Sequence, residues 1–82
     1  MENKVKYINR STYRVKVLKS LKGDVKMPTE IARDCDILPN HISNVLRELR
    51  ENDIVECINP EVKKGRLYRL SDVGKDVLKE ID

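Results

Sequence analysis

The chain has no phenylalanine, no tryptophan and a single histidine in 82 residues. Its core must therefore be built from isoleucine, leucine, valine and a few tyrosines. The same scarcity leaves no aromatic platform on which single-stranded bases would stack. Cys35 and Cys57 stand apart, without CxxC spacing, and with one histidine a zinc site lacks ligands. Both read as small structural side chains rather than redox or metal groups, and a reduced, cytoplasmic setting is expected. No apolar run approaches the ~18–20 residues of a membrane span, and no signal peptide is visible. There is no Gly-rich phosphate loop and no convergent nucleophile and base, so no reaction, enzyme or cofactor is expected. Repeats, low-complexity segments and linkers are lacking too, and the length bounds the chain to one small domain.

What is present is charge, unevenly spread. Lys, Arg, Asp and Glu make up 38% of the residues, and the formal net charge is +3. Residues 1–23 hold seven Lys/Arg against Glu2, a net of +6; the remainder holds ten against thirteen acids, a net of −3. A basic end suits a polyanion, and a solvated helix face fits the same numbers equally well. Apolar residues recur with regular period between the charges, which marks a folded chain rather than a disordered tail.

Residues 1–10 form an N-terminal arm, either a short strand, because Val5 and Tyr7 alternate with lysines, or a frayed terminus. Ser11 or Thr12 caps a first helix that ends near Lys22, with Gly23 as its stop. Val17, Leu18 and Leu21 form the apolar stripe of that helix, and Val15 lies at its edge. Arg14 falls on the stripe, so its stem is expected to pack while its head reaches a carboxylate; a phosphate contact is the lesser alternative. Pro28 suits the first turn of a second helix, with Glu30 near its positive end and Ile31, Ala32 and Cys35 inward. Asp36, Ile37 and Leu38 make a turn in which Ile37 and Leu38 would plug the gap between helices.

Pro39 starts a helix running to about Asn52. Ile42, Val45, Leu46 and Leu49 follow the spacing i, i+3, i+4, i+7 of a buried stripe. At about 100° per residue, Asn40, Asn44, Arg47 and Glu51 fall on the opposite face. His41 and Ser43 flank that face near the N-terminal end. Asn, His, Ser and Arg there can hydrogen-bond base edges and phosphates. The acids Glu48 and Glu51 are confined to the last turns. Residues 54–58 form a β-branched run that reads as a strand, with 67–70 as its partner. Between them, residues 59–66 make a turn-rich loop with a basic tip, where Pro60 stops the ladder and Gly65 supplies backbone freedom. Tyr68 is expected in the core with its hydroxyl near the edge. Ser71 caps a last helix whose apolar side is Val73, Val77, Leu78 and Ile81; Gly74 lies on that side for close backbone packing.

In this order, SxYRxKVLKSL (11–21), PTEIA (28–32), HISNVLRELRENDIVE (41–56) and KKGRLYRLSDVGKDVL (63–78) resemble a winged helix-turn-helix transcriptional regulator of the archaeal and bacterial kind, akin to MarR-like and ArsR-like domains. The resemblance covers residues 10–80. It implies an α+β fold: a three-helix core, a β-hairpin wing and a C-terminal helix, with the winged domain spanning 11–82. It also implies that the helix at 39–52 lies in the major groove and the wing at 59–66 on backbone or minor groove. The implied DNA-binding residues are Asn40, His41, Ser43, Asn44 and Arg47 on the helix, and Lys63, Lys64 and Arg66 on the wing. The chain departs from the pattern at Asp36, where the turn usually has Gly, and at Leu38, where Ser or Thr usually caps the recognition helix. The long dimerising helices of larger MarR-like proteins and the ArsR-like metal-site cysteine motifs are missing.

The function expected is a sequence-specific, double-stranded DNA-binding regulator, a repressor acting as a homodimer, with no membrane and no small-molecule ligand evident. The alternatives are a winged-helix protein-interaction module and an architectural chromatin protein. Candidate dimer surfaces are the N-terminal segment with Tyr7, Ile8 and Tyr13, and the last helix with Ile81.

Overall fold

The computed structural model describes residues 1–81; Asp82, the last residue of the expected domain, lies outside them. Five helices and a two-stranded hairpin follow in the order α1 (Glu2–Asn9), α2 (Thr12–Ser20), α3 (Pro28–Cys35), α4 (Pro39–Glu51), β1 (Val55–Cys57), β2 (Tyr68–Leu70) and α5 (Asp72–Ile81).

The three-helix core is α2, α3 and α4. Ser11 is extended and its hydroxyl accepts from the Arg14 backbone N–H, which sets the start of α2. Gly23, at φ +70, turns the chain just beyond its end. Pro28 opens α3, and the Glu30 carboxylate accepts from the Met27 N–H at 2.9 Å. Asp36 ends α3 in the left-handed region at φ 55, the position that favours glycine. An aspartate tolerates it better than most residues. Ile37, Ile42, Val45, Leu46 and Leu49 are buried between the helices. Leu38 is not: at 63% exposed it stands in solvent, so only Ile37 plugs the turn. The two neighbours point opposite ways because Leu38 is extended at the entry to α4.

The N-terminal residues correct a second expectation. The strand-like alternation around Val5 and Tyr7 is overridden, and the segment is helical. Ile8 is fully buried, with Val5 and Tyr7 half-buried against the core, so α1 joins the domain by packing on α2 and α5. Lys4 Nζ donates to the Asn52 carbonyl at 2.7 Å, tying α1 to the end of α4. Ile8 is thereby removed as a dimer contact.

β1 and β2 pair antiparallel in the register Val55↔Leu70, Glu56↔Arg69, Cys57↔Tyr68. Val55, Tyr68 and Leu70 turn inward, while Arg69 Nε donates to Glu56 across the outer face at 2.8 Å. Lys26 forms an isolated bridge to the far side of Tyr68. Ser71 caps α5 through the Gly74 N–H at 2.9 Å, and its hydroxyl also donates to the Ile54 carbonyl at 3.0 Å. Gly74 is a packing requirement, since a Cβ there would lie 2.0 Å from the Ile54 oxygen. Val77 and Leu78 are buried, with Val73 and Ile81 partly so.

Candidate nucleic-acid interface

The amphipathic α4 buries one stripe and leaves Asn40, His41, Ser43, Asn44, Arg47 and Arg50 exposed. Beyond β1, the ladder continues through one more bond, Ile58 N–H to the Leu67 carbonyl at 2.9 Å, and then opens into the wing. Asn59 shapes it: its Oδ1 accepts from the Leu67 N–H at 2.7 Å, and its Nδ2 donates to the Gly65 carbonyl at 3.1 Å. Gly65 takes φ +74, so the chain reverses there without strain.

The wing folds toward α4, and the two enclose an open groove of about 590 Å3. Ser43 and Arg47 from α4 and Lys63, Lys64 and Arg66 from the wing all line it. Met27, Leu46 and Tyr68 are among its apolar lining residues. Among the described residues, no carboxylate lines it. Five of the eight candidate residues are thus brought together, whereas Asn40, His41 and Asn44 lie outside the groove. His41 instead meets the Tyr13 ring of α2, centroids 5.8 Å apart and tilted at 59°.

Individual side chains differ in how free they are. Lys63 and Lys64 are exposed. Among the described residues, no ion pair or hydrogen bond holds the Arg47 side chain, so the local pairing with Glu48 or Glu51 does not form. Glu48 instead faces Arg14 at 3.9 Å. Arg14 also donates to the Tyr7 carbonyl at 2.8 Å and stacks 3.7 Å from the Tyr7 ring centre. Its stem packs and its head finds a carboxylate, as its place on the stripe suggested. Burial pushes the Tyr7 hydroxyl up from its ordinary value. Arg66 folds back on its own loop, its Nε donating to the Val62 carbonyl at 2.7 Å and its Nη2 to the Pro60 carbonyl at 3.3 Å. Ser43 Oγ donates to the Pro39 carbonyl at 3.1 Å, which leaves the oxygen able to accept.

Sequence reasoning passed over Arg50, which lines the groove with Arg47. The signal was available: positions 43, 47 and 50 share a helix face by the i, i+4, i+7 rule. That flank is cationic, while the opposite flank carries Glu48.

Among the described residues, no three His, Cys, Asp or Glu are grouped to hold a metal ion. Cys35 is buried and Cys57 partly so, both free, and burial raises the Cys35 thiol above its ordinary value. No described helix is long and apolar enough to cross a membrane.

A helix-turn-helix followed by a basic hairpin and a closing helix defines the winged helix-turn-helix class, and solved structures share this fold. A mutant of Lactococcus lactis ZitR, solved in complex with DNA, superposes with a TM-score of 0.74 at 19% identity, over 87% of this chain and 49% of that one. NadR in complex with 4-hydroxyphenylacetate gives 0.78 at 18% identity, over 94% and 56%. Diamide-treated YodB from B. subtilis gives 0.75 at 24% identity, over 99% and 84%. The chain spans about half the length of the ZitR and NadR chains. No protein-family model and no curated protein sequence matches it.

Proposed function

We propose that the chain binds double-stranded DNA as a transcriptional regulator. The groove between α4 and the wing carries this reading: five cations, Arg47, Arg50, Lys63, Lys64 and Arg66, line it without a carboxylate among the described residues. Such a surface complements the phosphate backbone. With α4 in the major groove, Arg47 pairs with a guanine edge and Asn40 and Asn44 face adenine. Lys63, Lys64 and Arg50 hold phosphates. Arg66, bonded within the wing, contributes its charge and fixes the loop. The presence of DNA on ZitR supports the same reading through the shared fold.

One such domain buries too little surface for strong specificity. A homodimer on a palindromic site would overcome that limit, and the role proposed for it is a repressor that occludes a promoter. Tyr13 and Ile81 remain as apolar contacts for pairing, being partly or largely exposed.

Two variants test the docking by fluorescence anisotropy against a selected duplex. Arg47→Ala weakens specific binding by about 1–3 kcal/mol, and Lys64→Ala lowers the salt slope by about 1 with little change in sequence preference. Unchanged affinity in the Arg47 variant would remove α4 from the groove and favour a protein-interaction module.

A further inference from the structure

We infer that Leu38 is a specificity residue of this interface, packing on the 5-methyl group of a thymine in the major groove. The inference rests on the DNA-binding reading above. Leu38 is 63% exposed, more than Met1, Tyr13, Val25 or Ile58, the other large exposed apolar side chains among the described residues. It belongs neither to the buried core nor to the partly buried side chains packed against it. Ile37 beside it fills the core, and no side chain caps α4. Where a hydroxyl or carboxylate would satisfy backbone donors, this chain places an aliphatic group in water.

Its surroundings say what could cover it. From Ile37 to Leu46 there is no Lys, Arg, Asp or Glu. The leading half of α4 is therefore neutral, and the cations begin at Arg47, on the flank beside the wing. A neutral edge cannot neutralise phosphate, and it matches the floor of the groove rather than its walls. On that floor the thymine methyl is the apolar group that base pairs present. Leu38 next to a polar base edge would leave the edge unpaired; next to a methyl, both lose water favourably. The residues that follow suit the same base pair, since Asn40 and Asn44 can accept and donate at an adenine.

The test removes the methyl and nothing else. Each thymine of the selected duplex is replaced in turn by deoxyuridine, and the Kd is measured for the wild type and for Leu38→Ala. Replacement at one thymine of each half-site should weaken the wild type about fourfold, the factor set by burying one methyl, and leave Leu38→Ala unaffected. Leu38→Met, which keeps an apolar side chain, should retain the sensitivity. Both variants alter the same solvent-exposed side chain, so their melting temperatures should match the wild type. Specific binding that is indifferent to every methyl, or sensitivity that persists in Leu38→Ala, overturns the inference and leaves DNA binding intact. If the wild type selects no duplex, the DNA-binding reading fails and this inference with it.

Discussion

Replacing Gly74 by alanine should destabilise the domain, although alanine is the better helix former. A Cβ at this position would lie 2.0 Å from the Ile54 carbonyl oxygen and 3.1 Å from its carbon. Real Cβ atoms essentially never come closer than 3.0 Å, so α5 would have to retreat by 1.0 Å, the difference between the two distances. The obstacle is backbone and cannot swing aside. It also accepts from the Ser71 N–H and hydroxyl, both at 3.0 Å, so retreat stretches the cap of α5 as well. Alanine gains about 1 kcal/mol of helix propensity. Overpacking typically costs ~1–3 kcal/mol, and each strained hydrogen bond up to about 1 kcal/mol more. At mid-range values the balance is a net loss of about 2 kcal/mol, which lowers the Tm of a domain this size by about 8–16 °C. Thermal unfolding followed by circular dichroism reads it directly. An unchanged or raised Tm would show that α5 does not sit against the Ile54 backbone as described.

Asp36→Gly should raise stability by up to about 1 kcal/mol, since the left-handed backbone at φ 55 costs glycine nothing; a lower value in urea unfolding would contradict that geometry. The pair Lys26–Asp34 should shape the pH profile. Lys26, with Ser20, holds the Asp34 carboxylate below its ordinary value, so its stabilisation is present above about pH 3.9 and is lost as pH falls through the depressed value. At the other end, the hydrogen bond to Asp34 raises the Lys26 ammonium, so that contribution is complete below about pH 10.4 and fades as pH rises through the raised value. Asp34→Asn should flatten both limbs of the Tm–pH curve, and an unaltered curve would mean the pair is solvated.

Much of this architecture could be read from spacing alone. The Ile42–Val45–Leu46–Leu49 stripe fixed the face of α4, and Ser11, Pro28, Pro39 and Ser71 marked helix starts that the structure places within a residue. These signals are local, set by capping and by helical period. The failures arise where tertiary contact decides. Val5 and Tyr7 alternate like a strand, yet burial of Ile8 against the core makes the segment a helix. Leu38 looked like core because hydrophobicity names a preference, not a direction; the extended backbone at the head of α4 turned it outward. Within the candidate site, residue type identified the cations but not their partners. Arg66 folding onto Val62 and Pro60 depends on the path of the wing, and the grouping of Arg50 with Lys63 and Lys64 depends on how the wing leans on α4. Those are long-range facts, invisible to a window of sequence.

Selection from a random pool of double-stranded DNA, repeated at two salt concentrations and sequenced, tests the central claim most directly. Neutralising several phosphates releases counterions, so affinity should fall steeply with salt, with a log–log slope of about −0.9 per phosphate contact. Enrichment of a palindromic motif together with that fall is the result expected of a dimeric, sequence-specific regulator. Salt-sensitive binding without a motif would contradict base reading by Arg47 and point to an architectural role, and no binding at either salt would contradict DNA binding altogether.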